Sequence, residues 1–116
     1  MTQRDVTFTR EQIAAYAEAS GDRNPIHLED EFARSVGLPG VIAHGMLQMG
    51  ILATVASEAA GGSGHLRRLS VRFAGMVVPG DTVTFRAEPA GDSMLDLSAV
   101  NQKGEAVMTK AAAEVS

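Results

Sequence analysis

The residues best suited to chemistry lie in one short stretch, Ser20 to His27, with the sequence SGDRNPIH. Asp22 offers a carboxylate and His27 an imidazole, two groups that can exchange protons near neutral pH. Gly21 can adopt a positive φ and end a helix, while Pro25 fixes its own φ and favours an extended conformation at the residue before it. We therefore predict a stiff loop on which Asp22 and His27 converge as an acid/base pair.

The Asp-x-Asn-Pro part of this stretch also has a simpler interpretation, because the same pattern is common turn chemistry. The other two histidines have no carboxylate partner in their own loops. His44 precedes a long apolar segment, and we interpret it as a hydrogen-bonding or packing residue at a helix start. His65 follows a Gly-Gly-Ser-Gly loop and is expected to be solvated.

The composition narrows the cofactor and partner classes. There is no Cys among the 116 residues, which removes thiolate catalysis, disulfides and cysteine metal sites. Asp22, His27, Glu29 and His44 match no short metal-ligand motif, so we expect neither a metal nor another cofactor. With 10 Lys plus Arg against 14 Asp plus Glu and no basic run, nucleic acid is not an expected partner.

Length and hydropathy predict a single domain over residues 1–116 in a cytoplasmic protein without a membrane partner. The N-terminal MTQRDVTFTR lacks a signal-peptide core, and no uncharged apolar stretch reaches membrane-spanning length. The chain has no Trp and only one Tyr and four Phe, so aliphatic residues and six Met must fill the core.

The elements that position the loop are predicted from periodicity and capping. A short strand is expected over Asp5 to Thr9, and the Thr9 and Gln12 pair forms a capping box for a helix that ends at Gly21. A second short helix should cover residues 28–36. Residues 45–60, GMLQMGILATVASEAA, are apolar on nearly every face, which predicts a buried helix.

After residue 65 the apolar residues alternate with polar ones, the two-residue period of strands. Leu69, Val71 and Phe73 are expected to share one face of the first of these strands. Further strands are predicted at 76–78, 82–87, 95–99 and 107–115. These elements together indicate an α+β fold with one antiparallel sheet packed on one apolar helix.

Several of these segments resemble the MaoC-like family of (R)-specific enoyl-thioester hydratases and 3-hydroxyacyl-thioester dehydratases. The resemblance includes Tyr16, SGDRNPIH at 20–27, the acidic short helix after it and GVIAHGML at 40–47. RLSVRFAGMVVPGDTV at 68–83 is also similar, so most of the chain is covered. The resemblance implies a hotdog fold, in which an antiparallel sheet wraps around one buried central helix.

The resemblance also implies roles for particular residues. Asp22 and His27 would form the catalytic dyad, with Asn24 and Pro25 supporting the loop. The backbone N–H of Gly45, at the start of the buried helix, would stabilise the oxyanion.

Two methionines of the buried helix have two interpretations. Met46 and Met49 are most simply core filler. One face of the helix, including these two side chains, could instead line an acyl pocket. Some family members carry a hydroxyl residue where this chain has Ala53.

The implied activity is that of a hydro-lyase of fatty-acid metabolism. It would reversibly hydrate trans-2-enoyl thioesters, or dehydrate (R)-3-hydroxyacyl thioesters, carried by coenzyme A or acyl carrier protein. One alternative is a thioesterase, because other hotdog proteins cleave thioesters with a carboxylate near the same helix start. Another is a non-catalytic acyl-binding subunit of a heterodimeric dehydratase, against which the presence of both Asp22 and His27 argues.

The predicted assembly is a homodimer, with a heterodimer of related hotdog chains as the alternative. A small sheet curled around one helix leaves edge strands open, and such edges invite pairing. Three arginines, Arg67, Arg68 and Arg72, could meet coenzyme A phosphates or an acidic carrier, although arginines on strand surfaces are usually solvated.

Overall fold

The computed structural model describes residues 2–116, and its central feature is a five-stranded antiparallel sheet. The strands are β1 (Thr2–Thr7), β2 (Leu66–Phe73), β3 (Thr82–Pro89), β4 (Met94–Asn101) and β5 (Ala106–Val115). They lie in the order β1-β3-β4-β5-β2, and each pair of neighbours is antiparallel. The outermost strands, β1 and β2, are therefore the two edges of the sheet.

Within residues 2–116 three α-helices accompany the sheet: α1 (Arg10–Ser20), α2 (Asp30–Ser35) and α3 (Gly45–Ala59). Short 3-10 turns occupy Pro25–His27 and Ser63–His65. Of these elements α3 packs against the sheet, so the predicted α+β architecture of one antiparallel sheet packed on one long helix is confirmed. None of the helices within residues 2–116 has the length and hydropathy needed to cross a membrane.

The core forms where alternate residues of the strands meet one face of α3. Val83 and Phe85 of β3 are fully buried, as are Leu52 and Val55 of α3. Burying each such side chain stabilises the fold by about 1.5–3 kcal/mol. Because polar residues alternate with these in β3 and β4, the other face of the sheet is left to solvent.

One expectation about α3 needs correction, since the helix is not buried on every face. Met46, Gly50, Thr54 and Glu58, spaced four residues apart, are exposed. The Glu58 carboxylate forms an ion pair with Arg4 of β1. The sheet of one chain covers only one side of α3. The apolar residues of this helix occupy more of its surface than that side, so part of the helix stays exposed.

The boundaries of α1 are as the capping residues predict. Thr9 Oγ1 accepts the N–H of Gln12 at 3.1 Å, which satisfies one free donor of the first turn. At the other end Gly21 has φ +81°, and its N–H donates to Ala17 O at 3.0 Å. The helix therefore stops immediately before Asp22.

Two predicted strands differ from the observed ones. The first strand lies at Thr2–Thr7 instead of Asp5 to Thr9, because Thr9 already caps α1. Phe8, between the two elements, is fully buried and exchanges backbone hydrogen bonds with Gly80 and Asp81. Residues 76–78 form no strand. Val77 is instead buried in a loop, where its carbonyl oxygen accepts the N–H of Ala43 at 2.8 Å. This hydrogen bond joins the loop to the segment that leads into α3.

Candidate active site

The loop that carries Asp22 is held by a series of short hydrogen bonds. Ser20 Oγ accepts the Asp22 N–H at 3.1 Å, Asp22 Oδ1 accepts the Asn24 N–H at 3.3 Å, and Asn24 Oδ1 accepts the Ile26 N–H at 3.2 Å. Pro25 opens the 3-10 turn that ends at His27. Asn24 and Pro25 therefore occupy positions suited to the support that the sequence predicted for them.

The two predicted acid/base groups come together in the structure. Asp22 Oδ2 lies 3.8 Å from His27 Nε2, and the side chains are 55% and 9% exposed, respectively. This distance is too long for a direct hydrogen bond. A water or a substrate hydroxyl beside the gap can contact both atoms, so the pair can act on one small group.

The backbone determines which nitrogen of His27 faces Asp22. His27 Nδ1 lies 2.8 Å from the carbonyl oxygen of Ile42. A carbonyl oxygen can only accept, so Nδ1 carries the hydrogen, and Nε2 of the neutral ring holds the lone pair. His27 thus presents a basic nitrogen toward the carboxylate. Sequence reasoning missed Ile42, since a backbone acceptor has no side-chain signature.

His44 lies against both members of this pair. Its side chain is 2% exposed, and its ring stacks on that of His27 with centroids 3.7 Å apart and planes at 21°. His44 Nε2 donates to the carbonyl oxygen of Asp22 at 3.0 Å. The edge of the Tyr16 ring packs on His44 at 4.8 Å and 63°. His44 is a packing and hydrogen-bonding residue as predicted, but its side chain does not cap α3.

Asp22, His27 and His44 also form the kind of cluster that could attract a metal ion. One potential ligand atom from each lies within 4.8 Å of the others. The ring nitrogens hold their lone pairs in the ring planes, and the two rings are nearly parallel. Lone pairs in separate, nearly parallel planes do not converge on one ion. The geometry favours acid/base chemistry over metal binding, and the absence of a metal remains a prediction.

Gly45 is the first residue of α3, directly after His44. The first N–H groups of a helix have no acceptor within the helix, and the helix dipole favours negative charge there. The ring of Phe73 covers this glycine, because a Cβ added to Gly45 would lie 3.1 Å from Phe73 Cζ. Phe73 itself is 48% exposed and contributes an aromatic wall beside the helix start, which sequence reasoning did not foresee.

Of the two methionines considered as core filler or acyl-pocket lining, Met46 lies in the exposed stripe of α3, so the prediction of core filler is wrong for this residue. Met46 is 62% exposed, and Met49 is half-buried. Met46 directly follows the glycine beneath Phe73, so these two side chains leave apolar surface open near the helix start. A role of these two methionines in lining an acyl pocket remains a prediction.

Asp30, the first residue of α2, anchors the segment between α2 and α3. Its Oδ1 accepts the Val41 N–H at 2.9 Å, and its Oδ2 pairs with Arg10 at 2.7 Å. The hydrogen bond from Val41 and then that from Arg10 hold the pKa of Asp30 below its usual range. The anchored segment supplies Ile42, whose carbonyl oxygen accepts the Nδ1–H of His27, and His44, whose ring stacks on that of His27.

Comparison with known sequences gives concordant matches. Residues 1–112 match the family model of the MaoC like domain. The peroxisomal hydratase-dehydrogenase-epimerase of Neurospora crassa is 34% identical over 111 residues, which are 96% of this chain and 12% of that protein. The 3-hydroxyacyl-thioester dehydratase Y of Mycobacterium tuberculosis is 38% identical over 87 residues, 70% of this chain and 30% of that one. The chain thus spans less than a third of the length of these curated relatives.

Among solved structures, the chain is similar to the (R)-hydratase from A. caviae involved in PHA biosynthesis. The two share 27% sequence identity and superpose with a TM-score of 0.83. The match covers 97% of this chain and 90% of that one, so the likeness extends over nearly the whole of both folds.

Proposed function

Because the chain belongs to the MaoC-like family, we propose that it catalyses the reversible, (R)-specific hydration of trans-2-enoyl thioesters, and so the dehydration of (R)-3-hydroxyacyl thioesters. The observation that carries this proposal is the pair of Asp22 Oδ2 and His27 Nε2, 3.8 Å apart next to the start of α3. A carboxylate and a basic nitrogen at this spacing can serve the two proton transfers that the reaction needs.

In the dehydration direction, His27 Nε2 removes the proton from the α-carbon, and the electron pair of that C–H bond moves toward the thioester carbonyl. The enolate then expels the β-hydroxyl, which takes the proton of the protonated Asp22 carboxyl and leaves as water, so the turnover ends with His27 protonated and Asp22 ionised. Hydration is the reverse: Asp22 accepts a proton from the attacking water, and protonated His27 delivers its proton to the α-carbon. The pair holds one proton before and after each turnover, and transfer of that proton from His27 back to Asp22 resets the site for dehydration.

The negative charge that develops on the thioester oxygen needs a donor, and we assign that role to the N–H of Gly45. The N-terminal position in α3 provides both a free donor and the positive end of the helix dipole. Such a preorganised donor stabilises a developing oxyanion without reorganisation cost. Phe73, over the same glycine, would wall the thioester on one side.

The direct test is a hydration assay with purified protein. Crotonyl-CoA and longer trans-2-enoyl-CoA substrates are supplied, loss of the conjugated-enoyl absorbance is followed, and the chirality of the product is determined. Formation of the (R)-3-hydroxyacyl product supports the proposal. Release of free thiol without hydration would indicate a thioesterase. No turnover of either kind would favour a non-catalytic acyl-binding subunit.

The carrier, the assembly and the compartment are also proposals. Acyl-CoA and acyl carrier protein substrates can be compared in the same assay. We propose a homodimer, because β1 and β2 leave two open sheet edges, and a heterodimer with a related chain is the competing outcome. A cytoplasmic location remains a prediction, and one of the relatives above is peroxisomal.

A further inference from the structure

We infer that His44 is a positioning residue that fixes both members of the proposed dyad at once, an inference that rests on the proposed function. Its ring stacks on the ring of His27 at 3.7 Å, and its Nε2–H holds the carbonyl oxygen of Asp22 at 3.0 Å. One side chain therefore constrains the plane of the base and the backbone of the acid. Neither contact places His44 on the reacting atoms.

The polar atoms of His44 argue against a role in packing alone. The side chain is 2% exposed, and its Nδ1 lacks a hydrogen-bond partner within residues 2–116. A buried polar atom without a partner costs free energy that an apolar ring of similar size would avoid. The compensation present in the structure is the Nε2–H bond to Asp22. Histidine at this buried position thus makes a contact with the Asp22 loop that an apolar ring could not make.

The stacking of the His44 ring on the His27 ring limits the motion of His27. His27 is held by Nδ1 to Ile42 O, but one hydrogen bond leaves the ring free to rock about it. The flat face of His44 removes that freedom and keeps Nε2 directed at Asp22. Tyr16 packs edge-on against His44 and so supports the stack through α1. Misplacement of a reacting group by about 1 Å can cost roughly 10²-fold in rate.

The test uses three substitutions that separate the two contacts. His44→Phe keeps a flat ring and loses the donor, His44→Gln keeps a donor and loses the ring, and His44→Leu loses both. The matched control is Gln48→Leu, because Gln48 lies one turn further along α3, is 3% exposed and donates to Ala43 O instead of touching the dyad. All variants are compared in kcat, KM and thermal unfolding midpoint.

We expect His44→Leu to lower kcat by about 10- to 10²-fold with little change in KM, the size of effect that misplacement of a reacting group produces. His44→Phe and His44→Gln should fall between it and the wild type. His44→Phe should lose activity without losing thermal stability, which a purely structural role would not give. Equal losses of kcat in His44→Leu and Gln48→Leu, or an unchanged kcat in His44→Leu, would overturn the inference.

A second measurement does not depend on the reaction. Two-bond ¹H–¹⁵N NMR spectra should show His27 of the wild type as a single Nδ1–H tautomer. In His44→Leu the unconfined ring should break its Nδ1–H bond to Ile42 O part of the time, and because that bond fixes the tautomer, the His27 signals should move toward a tautomer average. An unchanged His27 spectrum overturns the inference even if kcat falls. If the wild type hydrates no enoyl thioester, the proposed function fails, and this spectrum alone decides the role of His44.

Discussion

The proposed chemistry depends on the nitrogen of His27 that meets Asp22. The hydrogen bond from Nδ1 to Ile42 O leaves Nε2 as the basic atom, and the buried ring beside an exposed carboxylate gives two groups with different access to water. The exposed Asp22 can exchange its proton with solvent between turnovers. The buried His27 is less open to solvent, so in the proposed mechanism its proton passes to or from Asp22 between turnovers.

Substitution of either group should therefore abolish most of the activity. Asp22→Asn and His27→Ala are each expected to lower the hydration rate by roughly 10²- to 10⁴-fold, the usual contribution of a positioned acid or base. The fold-loss in hydration rate of the double variant should be smaller than the product of the two single fold-losses, because both groups act on one water. Steady-state assays with crotonyl-CoA measure the hydration rates of the wild type, the two single variants and the double variant. Near-normal turnover by either folded variant would remove the dyad from the mechanism.

The oxyanion assignment can be tested at Gly45 with two substitutions that both add a Cβ. His44, the preceding residue, has φ −61° and ψ 136°, a conformation compatible with a following proline. Gly45→Pro deletes the N–H, and we expect about 10²- to 10³-fold lower kcat from the lost donor. Gly45→Ala keeps the N–H and serves as the control for the added Cβ.

Phe73 complicates that control, since the alanine Cβ would lie 3.1–3.3 Å from its ring atoms. Both Gly45 variants should therefore also be made with Phe73→Leu, which gives the added carbon room. If kcat of Gly45→Ala greatly exceeds that of Gly45→Pro both with Phe73 and with Phe73→Leu, the N–H of residue 45 is implicated. Equal activity of the two variants in the Phe73→Leu background would mean that the thioester oxygen is stabilised elsewhere.

Among the elements, the segment between α2 and α3 depends on Asp30 for its position. The Asp30 carboxylate joins Val41 to Arg10, and these contacts keep its pKa below the usual value. A group whose pKa is lowered in the folded state stabilises the protein at pH values above its pKa in the unfolded state, which is about 3.9 for Asp. That stabilisation is lost as the pH falls through the lower folded pKa.

Asp30→Asn should consequently lower the thermal unfolding midpoint near neutral pH. The difference from the wild type should shrink as the pH falls below about 4, where the wild-type carboxyl is increasingly protonated as well. Glu31→Gln removes the same charge from the next residue of α2 and is the matched control. A midpoint difference for Asp30→Asn that stays constant from neutral pH into acid would show that the charge is not responsible.

For the whole molecule, a single chain leaves both sheet edges and several apolar side chains open. Met46, Phe73 and Met76 are 62%, 48% and 51% exposed, and the first two lie at the start of α3. Open edges and apolar surface of this kind favour association. We expect a dimer over a wide concentration range in sedimentation velocity, with native mass spectrometry distinguishing two identical chains from two related ones. A stable and fully active monomer would contradict this expectation.

Local interactions explain why much of the architecture is predictable. The Thr9 cap, the left-handed Gly21 and the turn at Pro25 each depend on residues within a few positions, so their types alone place the end of α1 before Asp22. The same holds for the alternation in β3 and β4, whose period fixes the buried face. The proximity of Asp22 and His27 also follows from one short loop.

The contacts that orient these groups were decided by the tertiary structure. His27 meets the carbonyl of Ile42 15 residues away, and His44 meets that of Asp22 22 residues away. Backbone carbonyls are the same in every residue, so no side-chain pattern marks them as acceptors. The ring of Phe73 reaches Gly45 only because β2 packs beside the start of α3. Such contacts require distant segments to meet, and only the packing of α3 on the sheet determines where they do.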